Sequence, residues 1–148
     1  MNPNELITFF KRDLNKLIAE LELYNDEEHI WQVEKGISNS AGNLALHLIG
    51  NLHTFIGKEI GKTGYIRNRE LEFTQKDVPR GELIVSVQGT IKMIEDSLSP
   101  LTERDLKEEY PIMKFPNVET IEYLLVHLLS HLNYHLGQIN YHRRLIDK

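Results

Sequence analysis

Hydrophobic residues recur at helical spacing in four stretches of the chain, and each stretch carries a start or stop signal of its own. Leu6, Phe9, Phe10, Leu14, Leu17, Ile18 and Leu21 form the first, with Asn2 as cap, Pro3 in the first turn and Glu5 three residues after the cap. It should end near Tyr24. After a polar connection containing Trp31 and Gly36, Ser38 to Ser40 offer caps for a second helix through Leu44, Leu48, Leu52, Phe55 and Ile56, closed by Gly57, Gly61 and Gly64. Lys62 to Arg80 lacks a stripe and reads as a long ordered loop, the kind of segment that often carries function. Leu83, Ile84, Val87, Ile91, Ile94 and Leu98 make the third helix, which Ser99-Pro100 stops. A connection with Pro111 and Pro116 leads to Asn117, the expected cap of a fourth helix reaching to about Leu145.

Four amphipathic helices joined by long connections predict an all-α fold, a four-helix bundle, in which sites are built from side chains facing one another across helices. The 148 residues fit a single domain, 1–148, large enough to bury a core without staples. A hydrophobic share of 41% and a charged share of 26% with mixed signs are those of an ordered globular chain. A formal charge of -5 with scattered Lys and Arg argues against nucleic acid as a partner. There is no cysteine, so thiol chemistry would require a thiol substrate. No basic segment leads into an apolar leader at the start, and no apolar run is long enough for a membrane helix, so a cytoplasmic location without membrane contact is expected.

The fourth helix carries the candidate chemistry. His127, His131 and His135 recur every fourth residue, inside a run from Leu124 to Ile139 without Asp, Glu, Lys or Arg. At about 100° per residue they fan over roughly 80° of one face, each a turn from the next. They lie on the shoulder of a core stripe formed by Ile121, Leu125, Leu128, Leu132 and Ile139. On the second helix His47 shares a line with Asn43, Asn51 and Thr54, whereas His53 is rotated about 120° away, which favours His47 as the residue facing the same groove. Two imidazoles one turn apart and a third from a neighbouring helix would suit zinc, nickel or another borderline divalent ion and leave positions open for water or substrate. The spacing alone is a weak signal, since helix histidines more often pack or face solvent.

Other metal architectures are excluded. There is no His-Glu-x-x-His of the zinc proteases, and no Glu-x-x-His of the di-iron carboxylate bundles.

Three segments, His47-Leu48-Ile49-Gly50-Asn51-Leu52, Arg67-Asn68-Arg69-Glu70-Leu71-Glu72-Phe73 and His131-Leu132-Asn133-Tyr134-His135-Leu136-Gly137-Gln138-Ile139, together resemble the DinB-like superfamily of damage-inducible-type helical proteins in order, spacing and placement. The resemblance spans most of the chain. It implies an up-down-down-up bundle, a homodimer, and a divalent metal, zinc or nickel, held by His47, His131 and His135. Members with assigned chemistry are metal-dependent S-transferases that bind the sulfur of a small thiol such as bacillithiol, mycothiol or glutathione. The Arg-x-Arg-x-x-Glu-Phe block looks like the branch whose function is least known, and fold and metal transfer better than substrate.

Three consecutive ligands on one helix would strain one coordination sphere, so His127 is expected beside the centre or in the core. His29, His53 and His142 are expected at the surface or in packing. Asn51 is placed to orient His47 or to stitch to a neighbouring helix, and Gln138 to hydrogen-bond a ligand imidazole or metal-bound water or to pack as a buried amide. Arg67 and Arg69 could clamp a substrate carboxylate, although pairing with Glu70, Glu72 or a partner chain is the favoured role. Tyr134 and Tyr141 are expected at interfaces rather than in catalysis. The leading expectation is an enzyme whose metal activates a thiol or water toward an electrophilic small molecule; the alternatives are a metal-dependent hydrolase and a non-catalytic dimeric metal- or ligand-binding bundle.

Overall fold

Four of the five α-helices begin where a side-chain oxygen takes up a free backbone N–H. In this computed structural model of residues 1–148, α1 (Pro3–Leu23) is capped by Asn2, α2 (Ala41–Leu52) by Ser40, α3 (Arg69–Thr74) by Asn68 and α5 (Ile121–Ile146) by Thr120, while α4 (Arg80–Leu98) follows Pro79. The chain is all-helical and has no strands. No helix is long and apolar enough to cross a membrane.

Two expectations are corrected here. The cap of α5 is Thr120 rather than Asn117, because Tyr110 N donates to the Glu119 carbonyl (2.8 Å) and Ile121 N to that of Glu108 (3.0 Å), which holds residues 119 and 120 extended. The stretch from 62 to 80 is not loop throughout, since it contains α3. Six residues are too few to show a repeating apolar stripe, and only Asn68, whose side chain accepts from Leu71 N at 3.1 Å, marks the start.

Past Leu52 the second helix widens into a π-helix, His53–Lys58, seen in the bonds from Glu59 N to Thr54 O (3.3 Å) and from Gly61 N to Ile56 O (2.9 Å). The Phe55 carbonyl accepts from the Tyr110 hydroxyl at 2.6 Å.

Both α1 and α2 pack against α4 and α5. Pairs between α1 and α5 rise together along the two helices: Asp13 with Asn133, Glu20 with Asn140 and Arg143, Tyr24 with His142. Pairs between α1 and α4 run in opposite order, Lys11 meeting Glu95 while Arg80 meets residues 21 to 24. From α2 into its π extension and α4 they rise together again, His53 with Thr90 and Gly61 with Ser97. The apolar stripes meet in one core containing Phe10, Leu14, Leu48, Leu52, Val87, Ile94, Leu125, Leu128 and Leu132. Each such side chain contributes about 1.5–3 kcal/mol of burial, which outweighs the lower helix propensity of the β-branched residues in α4.

The last turn of α1 has no basic residue, so its free carbonyls find no local partner. Arg80 supplies one from the start of α4, donating through Nη1 to the carbonyls of Leu21 (3.3 Å), Glu22 (3.2 Å) and Tyr24 (2.8 Å). Replacing it by Ala is expected to cost about 1–3 kcal/mol, read as a lower urea midpoint with an unchanged slope.

Candidate metal centre

His131 and His135 sit one turn apart on α5, and His47 faces them from α2. The Nε2 atom of His131 lies 3.3 Å from that of His47 and 3.1 Å from that of His135. One ligand nitrogen from each residue falls within 4.8 Å of the other two, so this cluster could hold a metal ion. The rings meet edge to face, at 78° between His47 and His131 and 90° between His131 and His135, an arrangement in which neighbours do not block one another's nitrogens. Nitrogens about 2.0–2.1 Å from a tetrahedral ion lie roughly 3.3 Å apart, close to the two shorter edges found here.

Hydrogen bonding on the far side of the rings sets what faces inward. His47 Nδ1 donates to the Glu72 carboxylate (3.0 Å), and His135 Nδ1 donates to Gln138 Oε1 (2.7 Å). Each of these rings therefore points a bare Nε2 lone pair at His131. His131 Nδ1 is buried with no partner. A proton on His131 Nε2 could satisfy only one of the two facing lone pairs, and a proton on Nδ1 would leave all three nitrogens bare. The donor set is thus incomplete by one electron-pair acceptor, as a ligand set for a cation should be. Burial first, then the neighbouring imidazoles of His135 and His47, push the His131 pKa down to about 4, while burial lowers that of His47 against the opposing pull of Glu72.

Glu72 is the residue that sequence reasoning missed in this role. It is 6% exposed and accepts from His47 and from both Arg67 Nε (2.8 Å) and Nη2 (3.0 Å), so the guanidinium compensates a buried carboxylate that in turn fixes the imidazole. Arg67 is accordingly paired inside the protein. The place expected for Asn51, partner of the free His47 nitrogen, is taken by Glu72, and Asn51 Oδ1 is buried without a partner.

Local sequence builds this contact from α2 outward. Asn43, one turn before His47, donates from Nδ2 to the carbonyls of Glu72 (3.0 Å) and Gln75 (2.8 Å) and so pins α3 to α2. Gly50, almost one turn after His47, leaves the space in which the Glu72 carboxylate sits, since a β-carbon there would overlap it. The signal available in the sequence was the line Asn43, His47, Gly50 opposite a carboxylate three residues beyond Arg69. Phe73 covers the His47 ring at 4.9 Å, and Arg69 lies over Phe73 at 5.7 Å with no carboxylate partner.

The other histidines lie elsewhere. His127 meets the ring of Phe115 at 4.8 Å, outside the three-histidine cluster. His53 stacks on Tyr65 and bonds Thr90 Oγ1 (3.1 Å); His29 bonds Asp147 (2.9 Å); buried His142 bridges the Tyr24 hydroxyl and the Gln32 carbonyl, each at 2.7 Å. Tyr134 and Tyr141 are exposed. A cleft of about 440 Å³ adjoins the centre, with His135 and Gln138 in its wall beside Ile37, Leu44, Tyr134 and Leu145.

A family model described as "Protein of unknown function (DUF1572)" matches residues 4–148. No curated protein matches the chain.

Gly50→Ala tests the construction of the centre. The added methyl is expected to expel the Glu72 carboxylate, destabilise the fold by about 1–3 kcal/mol in denaturant, and release His47 from the Nδ1–H tautomer, a change to be read by nitrogen NMR.

Proposed function

The chain belongs to this family of proteins of unknown function, DUF1572, and from that premise we propose that it is a divalent-metal protein, with zinc or nickel held by His47, His131 and His135, acting on a small molecule as a thiol S-transferase does. The observation that carries the reading is the convergence of three imidazole nitrogens, two of them turned inward as lone pairs by outer hydrogen bonds, while the buried Nδ1 of His131 has no partner. A bound ion would supply Lewis-acid chemistry, favouring the deprotonated form of a coordinated thiol or water at neutral pH.

The chain's own residues do the rest. Glu72, held by Arg67, keeps the His47 ring in one orientation and one tautomer, and Gln138 does the same for His135. The cleft beside His135 offers an apolar wall for an electrophile and polar groups to orient it. With no cysteine in the chain, the sulfur nucleophile of this reading is an external thiol.

The fold assigned in this proposal is the DinB-like up-down-down-up bundle. It is supported by the order of pairs, rising together between α1 and α5 and between α2 and α4, and opposed between α1 and α4. A homodimer belongs to the same reading.

Metal per chain in untagged protein after exhaustive dialysis is the test, beside His47→Ala and His131→Ala. About one zinc or nickel per wild-type chain, lost in both variants, is the expected result. A wild type that stays empty and cannot be reloaded sinks the proposal. Metal retained without thiol-dependent loss of an electrophile leaves a binding bundle and overturns the transferase part.

A further inference from the structure

The protein carries a net charge of -5, yet three cations, Arg67, Arg69 and Lys114, are seated on aromatic rings near the histidine centre. Arg67 is neutralised by Glu72, but Arg69 and Lys114 have no acidic partner. Lys114 Nζ rests 4.3 Å from the centre of the Phe55 ring and 5.8 Å from that of Phe115, and the Arg67 guanidinium lies 6.0 Å from Phe55. Phe115 also meets His127, and Phe73, beneath Arg69, covers His47. The unpaired charges are thereby seated on the aromatic residues that rim the centre.

Partial burial first, then the like charges of Arg67 and Arg69, disfavour protonation of Lys114. Lys114 and Arg69 are both solvent-exposed, so an anion reaching this side can meet their charges without displacing a protein carboxylate. Aromatic faces offer only a weak, exchangeable substitute, worth about 0.5–1 kcal/mol at exposed positions.

We propose that Lys114 and Arg69 form the carboxylate-binding subsite of the centre, so that its small-molecule substrate carries a carboxylate that these two cations receive at the rim while the reacting group faces His47, His131 and His135. The subsite rests on the metal-centre reading for its purpose, although its charges can be tested without a metal. Lys114 lies in the connection before α5 and Arg69 at the first position of α3, so the two loop-borne segments that flank the centre each contribute one cation.

N-acetylcysteine and N-acetylcysteinamide differ only in the carboxylate and serve as the probe pair. Calorimetric titration of each into zinc-loaded and metal-free protein compares the wild type, the Lys114→Met/Arg69→Met double variant, and a Lys35→Met/Lys148→Met control with the same loss of net charge. The wild type and the control are expected to bind the acid about tenfold more tightly than the amide, and the double variant to bind both equally while retaining its metal content. A carboxylate preference in metal-free protein that disappears in the double variant supports the subsite even where zinc fails to load, separating it from the metal reading. Equal binding of the two probes by the wild type, or a preference that survives in the double variant, overturns the proposal.

Discussion

A carboxylate taken out of water costs several kcal/mol unless charge and hydrogen bonds replace its hydration. Glu72 meets that condition in a form that ties three segments together: a guanidinium from the loop, an imidazole from α2, and the space over Gly50 that lets the carboxylate reach both. Losing the guanidinium would leave a buried charge uncompensated, losing the imidazole would remove one of its hydrogen bonds, and filling the space over Gly50 would expel the carboxylate. The orientation of His47 is therefore not a free rotamer choice but a by-product of burying Glu72. The packing of α3 on α2 follows from the same requirement, reinforced by the buried amide of Asn43, which serves two carbonyls of α3 and its C-terminal cap residue.

The two sides of the centre are held with unequal stiffness. On α2 the imidazole is fixed by a charged, buried network, whereas on α5 His135 is fixed by the neutral and exposed amide of Gln138. Charge-assisted bonds are roughly twice as strong as neutral ones, so α2 supplies the rigid reference and α5 the adjustable half. The cleft lies on the adjustable side, beside His135, where the wall is made of α5 side chains, Leu44 of α2 and the connection before α2 rather than of a buried ion network.

The long helices and the face carrying His131 and His135 were legible because periodicity in sequence is a direct consequence of helical geometry. His47 was distinguished from His53 by the same reasoning, and the structure separates the two, one in the cluster and the other against Thr90. What periodicity could not reach was Glu72. It acts from a helix of six residues inside a connection, and its partner is chosen by a tertiary approach over Gly50 that no spacing within one segment encodes. Asn51 occupied the one-turn position that local reasoning favours, but a nonlocal carboxylate reached the ring nitrogen instead. The misplaced cap at Asn117 has the same origin, since the pairing of residues 108–110 with 119–121 holds the chain extended past a residue that is locally a good cap.

The π turn beyond Leu52 acts as a gauge of chain length. A wide turn accommodates one residue more than the α turn it replaces, and taking that residue away would rotate everything downstream by about 100°. Phe55, whose ring seats Lys114 and Arg67 and whose carbonyl anchors Tyr110, lies just inside the widened segment. The histidine on α2 and the aromatic rim of the centre are consequently set at an azimuth that a regular helix could not provide, and the spare residue is what keeps the floor and the rim of the site in phase.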